Sequence, residues 1–218
     1  GPLELALTFN PLGVKVSWGF WTQMDDHEGN CCTEEKNPKL HFVMSLSAEM
    51  PKIGAPRFIM EASLLTDGWL EDAFGLANFG FNGMALKLGM TAVPPFVTLF
   101  GIGFDLAIYM GDPKKVDLVT DGLDSYGMPK LTDASMNKVV LRATLAGEFD
   151  LADPTNNCFY FSLEGFKLSK FISYCRGKDT SIPKGLDLTV NKAMVGMSTR
   201  LVAKSCMEVS PPMAAGFM

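Results

Sequence analysis

The sequence predicts an all-β fold: an antiparallel β-sandwich, or a strongly curved sheet or barrel, of about ten strands with at most one or two short helices. Three observations carry this expectation. Apolar residues recur at every second position through most of the chain, turn-forming dipeptides fall between the runs, and helical spacing is scarce.

The runs come in order along the chain. Leu3, Leu5, Leu7 and Phe9 alternate with Glu4, Ala6 and Thr8, and Val14, Val16, Trp18 and Phe20 alternate with Lys15, Ser17 and Gly19. Leu40, Phe42, Met44 and Leu46 form a third run; Phe58, Met60, Ala62 and Leu64 form a fourth. Met84, Leu86, Leu88 and Met90 precede Ile102, Phe104, Leu106 and Ile108. Val116 and Leu118 are a shorter run, followed by Val139, Leu141, Ala143 and Leu145, then Phe159, Phe161 and Leu163. Leu186, Leu188 and Val190, then Val195, Met197 and Leu201, complete the series. Successive strand side chains point to opposite faces, so alternation sets one apolar face against one polar face. The expectation is that the apolar face is the core, with Trp18 inside it and Trp21 on the opposite, exposed face as a partner contact.

Asn10-Pro11, Asn37-Pro38, Asp112-Pro113, Asp153-Pro154 and Ile182-Pro183 punctuate the runs. Proline presets φ for a turn, and Asn or Asp before it bonds nearby backbone. Helical spacing occurs only at 69–78 and 168–174. The stretch 92–110 carries Asp105 as its one charge, and Pro94, Pro95, Gly101 and Gly103 spoil it as a membrane helix. It is expected to be a strand buried on both faces, so no transmembrane span is expected.

Gly1-Pro2 reads as the scar of a cleaved expression tag, 3–209 as a single β-rich domain, and 210–218 as a linker or tail. Such ends suggest a piece of a larger surface or secreted protein. Cys31, Cys32, Cys158, Cys175 and Cys206 make no C-x-x-C pair, so no zinc ribbon or thioredoxin motif is supported. Cys158 and Cys175 flank two expected strands and are candidates to meet across a hairpin. Disulfides and an extracellular or cell-surface location are the expectation.

The net charge of −5 argues against nucleic acid. Only two histidines, His27 and His41, are present, and no nucleophile elbow or phosphate loop occurs. Glu61, Glu148 and Glu164 sit in alternating runs, but no two share a strand at glycosidase spacing. A β-sandwich polysaccharide-active enzyme is therefore the last of three functional expectations. The first is a non-catalytic interaction or structural module acting through a protein partner or self-association, with the first strand as an edge that pairs with another chain. The second is apolar-ligand binding, of a lipid or sterol, in a Met/Phe-lined cavity, because the chain holds 14 Met and 16 Phe and the runs mix Met with Phe and Leu. Phe100, Ile102, Phe104, Met84 and Met90 are its candidate lining. No cofactor is implied by a motif; Asp25, Asp26 and Glu28 form the acidic loop that would hold calcium, and 121–125 and 150–157 are loops of the same kind.

Overall fold

The computed structural model describes residues 3–10, 13–23, 39–50, 55–70, 73–110, 120–123, 129–131, 139–183, 185–207 and 210–217. The described chain is all-β with one helix. Its strands are β1 (Leu3–Asn10), β2 (Gly13–Gln23), β3 (Lys39–Glu49), β4 (Arg57–Leu70), β5 (Phe79–Thr91), β6 (Val97–Tyr109), β7 (Thr120–Leu123), β8 (Pro129–Leu131), β9 (Val139–Asp150), β10 (Cys158–Lys167), β11 (Thr189–Ser198), β12 (Lys204–Ser205), β13 (Pro212–Met213) and β14 (Gly216–Phe217). Ten of these form one antiparallel sheet in the order β1-β2-β3-β4-β5-β6-β9-β10-β11-β14, which does not close on itself. Sequence neighbours pair almost throughout, as short Pro- and Gly-bearing connections require.

The register keeps the alternation coherent from strand to strand. Leu5 faces Trp18, Trp18 faces Met44, Met44 faces Ala62 and Ala62 faces Leu86. Leu86 then faces Ile102, Ile102 faces Gly147, Gly147 faces Phe159 and Phe159 faces Met197. The apolar runs therefore merge into one continuous face.

That face is the outside. Phe58 is 59% exposed and Phe100 42%, whereas Asp105, on the opposite face, is 1% exposed and Glu148 3%. The expected placement of the apolar runs in the core is thus reversed. Period two requires the two faces to differ, but whichever face the rest of the chain covers becomes the inside. Here the C-terminal segment lies over the polar face. Ala85, Ala146, Cys158 and Tyr160 of the sheet are buried there against Cys206, Met207 and Met213 of the segment. A second small cluster joins Trp69, Ala107, Tyr109 and Val139.

Several local expectations are corrected. The stretch 92–110 is a turn and β6, and β6 is buried on one face only: Leu99, Gly101, Gly103 and Asp105 point inward, while Phe100 and Ile102 are exposed. The helical spacing at 69–78 ends β4 and gives a single 3-10 turn, Ala73–Gly75. The other helical segment does form α1 (Leu168–Arg176). Its first turn is capped from outside, because the Asp187 carboxylate accepts the Ser169 N–H and hydroxyl, each at 2.9 Å. Gly177, at φ 64°, ends it and donates its N–H to Ser173 and Tyr174. Residues 210–217 are not a free tail: Pro211 and Met213 are buried, β13 pairs with β12 and β14 with β11.

The disulfide joins Cys158 to Cys206, and Cys175, expected as the partner of Cys158, is free and exposed on α1. The bond ties the C-terminal cover to β10 across 48 residues. Cys206→Ser is expected to cost about 2–5 kcal/mol in chemical denaturation and to raise protease cleavage within 199–213. Unchanged stability and cleavage would mean the cover is held by other contacts.

Candidate functional site

One register row crosses eight strands of the inner face: Ser17, Ser45, Glu61, Lys87, Gly101, Glu148, Cys158 and Ser198. Charges of opposite sign follow one another along it. Lys15 pairs with Glu61, which pairs with Lys87 at 3.0 Å. Lys87 reaches Glu148 at 3.2 Å, and Glu148 meets Arg200 at 2.9 Å. Lys87 reaches Glu148 across β6 because the row holds Gly101 there. A Cβ on Gly101 would run into Met207 and Lys87, so the glycine leaves room for both the cover and the lysine.

A second buried network lies two and three inner-face rows further along the strands. Arg142 is 2.9 Å from Asp105 and 3.4 Å from Glu164, and Lys192 adds an ion pair to Glu164 at 2.7 Å. Thr144 and Asn82 donate to the Asp105 carboxylate at 3.0 and 2.9 Å, and the Arg142 guanidinium sits 5.3 Å from the Trp69 ring. At the far end of the sheet, Arg57 clamps Asp150 at 2.7 and 2.9 Å and Glu49 at 2.8 Å. Arg57 is on β4 and Asp150 on β9, with β5 and β6 between them. Three interstrand steps of about 4.8 Å amount to about 14 Å on a flat sheet. Direct contact therefore shows that the sheet curls toward its charged face.

Enclosure and pairing set the proton chemistry. Burial alone would raise the Glu61 pKa; Lys87, Lys15 and the Ser45 hydroxyl overcome it and hold the carboxyl at about 2. Burial would lower Lys87, but the two glutamates raise it above the ordinary lysine value. Arg57 is likewise lowered by burial and raised, on balance, by Asp150 and Glu49. A carboxyl held near 2 stays ionised at neutral pH, so Glu61 is no proton donor. Glu148 and Glu164 are each bound to two cations. The three glutamates thus act as counter-charges of a scaffold.

A half-open cavity of about 230 Å³ separates this row from the cover, lined by Lys15, Ser45, Glu61, Lys87, Glu148, Lys204 and Met207 among others. Its lining mixes these charged groups with Val43, Ala62, Ala85 and Leu86, and none of the sequence-predicted apolar-ligand residues lines it. Phe100, Ile102, Phe104, Met84 and Met90 do come together, with Met84 facing Phe104 and Leu88 facing Phe100, but on the open outer face. Trp21, expected to be exposed, lies half-buried on the inner face and stacks on His41 at 4.1 Å between centroids. Trp18 is on the outer face with Val14 and Val16. Asp25, Asp26 and Glu28 fall outside the described residues. Asp150 is committed to Arg57 and to the N–H groups of Ala152 and Asp153, and no group of three or more metal-ligating side chains occurs among the described residues.

The inner rows were missed by sequence reasoning, although a signal was present. The polar positions of successive strands alternate in sign and are interleaved with Gly, Ala and Ser, which suits a crowded, enclosed face better than a solvated one. Among the described side chains of strands β1 to β6 and β9 to β11, the outer-face positions carry one charge, Lys167 at the end of β10, which pairs with Asp187. Comparison with protein-family models, curated proteins and solved structures found no match to the chain.

Two outcomes test the charged rows. Glu61 has a depressed folded pKa, so its stabilisation is complete above the unfolded value of about 4.3 and is lost as pH falls through about 2. Lys87 is raised, so its contribution is present below about 10.4 and fades as pH climbs through its higher folded value. Glu61→Gln is expected to flatten the acid limb of stability measured by urea titration. Asp105→Ala strips Arg142 of a buried partner and is expected to cost about 3–5 kcal/mol, whereas Lys15→Ala, partly exposed, costs less than about 1 kcal/mol.

Proposed function

We propose that the chain is a non-catalytic structural module that works at a lipid surface, with acyl chains covering the outer face of its sheet. The observation that carries this is the orientation of the two faces. A face of Leu, Phe, Met, Val and Ile, charged only at Lys167 among its described side chains, runs across nine consecutive strands and is exposed on most of them, while the C-terminal segment lies over the charged face. A water-exposed sheet has the reverse arrangement. Apolar outward and polar inward, in alternation, is the pattern of sheets that meet hydrocarbon. Largest patches on monomers in water span about 300–600 Å², which a face nine strands wide exceeds.

Strand length supports lipid as the occupant. β5 and β6 run 13 residues each, enough at about 3.4 Å per residue to cross an apolar band of about 25 Å at a tilt. No helix among the described residues is long and apolar enough to cross a membrane, so lipid contact here is a property of strands. The clustering of Met84, Met90, Phe100, Ile102 and Phe104 keeps the apolar-ligand expectation in a new form: an open face in place of a cavity. The disulfide favours an oxidising compartment, extracellular or at the cell surface.

Vesicle flotation tests the lipid face, with brominated lipid as the probe of depth. The protein is expected to float with phospholipid vesicles, and brominated acyl chains are expected to quench its tryptophan emission. Quenching should fall away in Trp18→Phe and persist in Trp21→Phe, because only Trp18 is on the outer face. Ile102→Asp should weaken vesicle binding about tenfold or more, since an outer-face charge costs up to about 2–4 kcal/mol in hydrocarbon, while leaving the strand spectrum unchanged. A protein that stays monodisperse in detergent-free buffer, fails to float and unfolds on Ile102→Asp would overturn the proposal and return the apolar face to a protein core.

A further inference from the structure

We infer that β1 is a self-association edge, pairing antiparallel with β1 of a second copy of this chain about a two-fold axis normal to the sheet. β1 ends the strand order and is bonded to β2 in unbroken register over its eight residues. Among the described residues nothing pairs with its other side, which presents a row of backbone donors and acceptors. Sheet edges are ordinarily blunted by proline, lysine, a bulge or a cover. Here 3–10 contains no Pro or Lys, the register shows no bulge, and Leu3, Leu5, Leu7 and Phe9 are each more than half exposed. The one charge, Glu4, stands on the inner face, 3.6 Å from His41. The opposite edge differs, because β14 covers Met197 and Ser198.

The second copy is favoured by the symmetry of β1 itself. A two-fold axis through Ala6 sets Leu3 against Phe9 of the second copy, Leu5 against Leu7 and Glu4 against Thr8. All apolar pairs then fall on the outer face and all polar pairs on the inner, so both faces continue across the junction. Each directly opposed apolar pair adds to stability, and the isologous arrangement closes at two copies. A parallel, in-register alignment would instead place Glu4 beside Glu4, where like charges oppose pairing. This inference does not rest on the lipid face, since it concerns backbone groups at the edge.

The test uses the full chain in detergent micelles, which occupy the apolar face and suppress association through it. In a Cys31→Ser, Cys32→Ser, Cys175→Ser background, Ala6→Cys is expected to give a covalent dimer on oxidation, with Ser17→Cys and the background protein as unlinked controls. Sedimentation velocity should show a concentration-dependent dimer without cross-linking, and Leu7→Lys should weaken it at least tenfold with an unchanged circular dichroism spectrum. A monomer at every concentration, or a dimer that survives Leu7→Lys and is not linked through Ala6→Cys, overturns the edge. A ladder of higher oligomers overturns the two-fold register. Vesicle flotation is read separately, so either proposal can fail while the other stands.

Discussion

The structure depends on opposite charges meeting across strands on the concave face. Lys15, Glu61, Lys87, Glu148 and Arg200 form a line in which every member neutralises its neighbours. Removing a charge from water is costly unless it is paired and hydrogen-bonded. The alternation of sign along one register row is what permits a charged face to be the inside. Once that face can be enclosed, the curl of the sheet, the clamp of Arg57 on Asp150 and the C-terminal cover follow, and the apolar runs are left facing outward.

The fold class was legible in the sequence because period two is a property of single strands. Ten of the eleven expected apolar runs supply strands or their flanks; the other, Val116 and Leu118, lies outside the described residues. α1 was legible too, since Leu168, Phe171 and Ile172 share a helical face. The side of burial was not legible from any one strand. Glu61 alone reads as a solvated residue or a catalytic carboxylate. Only the register that puts it between Ser45 and Lys87 shows it to be a structural anion. The disulfide was misjudged for a related reason. Cys158 and Cys175 are near in sequence, but α1 carries Cys175 away, and Cys206 returns to β10 within the cover.

The candidate site was legible in its membership and not in its meaning. Met84, Met90, Phe100, Ile102 and Phe104 do share a face, as their parity requires, yet an apolar face is a cavity lining only if the sheet curls toward it. The direction of curl is fixed by contacts between strands far apart in sequence. Trp18 and Trp21 exchanged their expected inner and outer sides for the same reason. A functional account that begins from the buried carboxylates of the described residues finds Asp105, Glu148 and Asp150 each ion-paired. One that begins from surface energy finds a molecule with a wet side that it covers itself and an oily side that it leaves bare.

The meander order of the sheet has a consequence for how such a surface is extended. Because each strand from β1 to β6 lies beside its sequence neighbour, every hairpin contributes one strip of oily side and one strip of charged side together. The width of the sheet is then set by how many hairpins the chain encodes. Gaining or losing one changes the area offered without asking any distant segment to find a new mate, so breadth can drift in evolution while the cross-section is preserved.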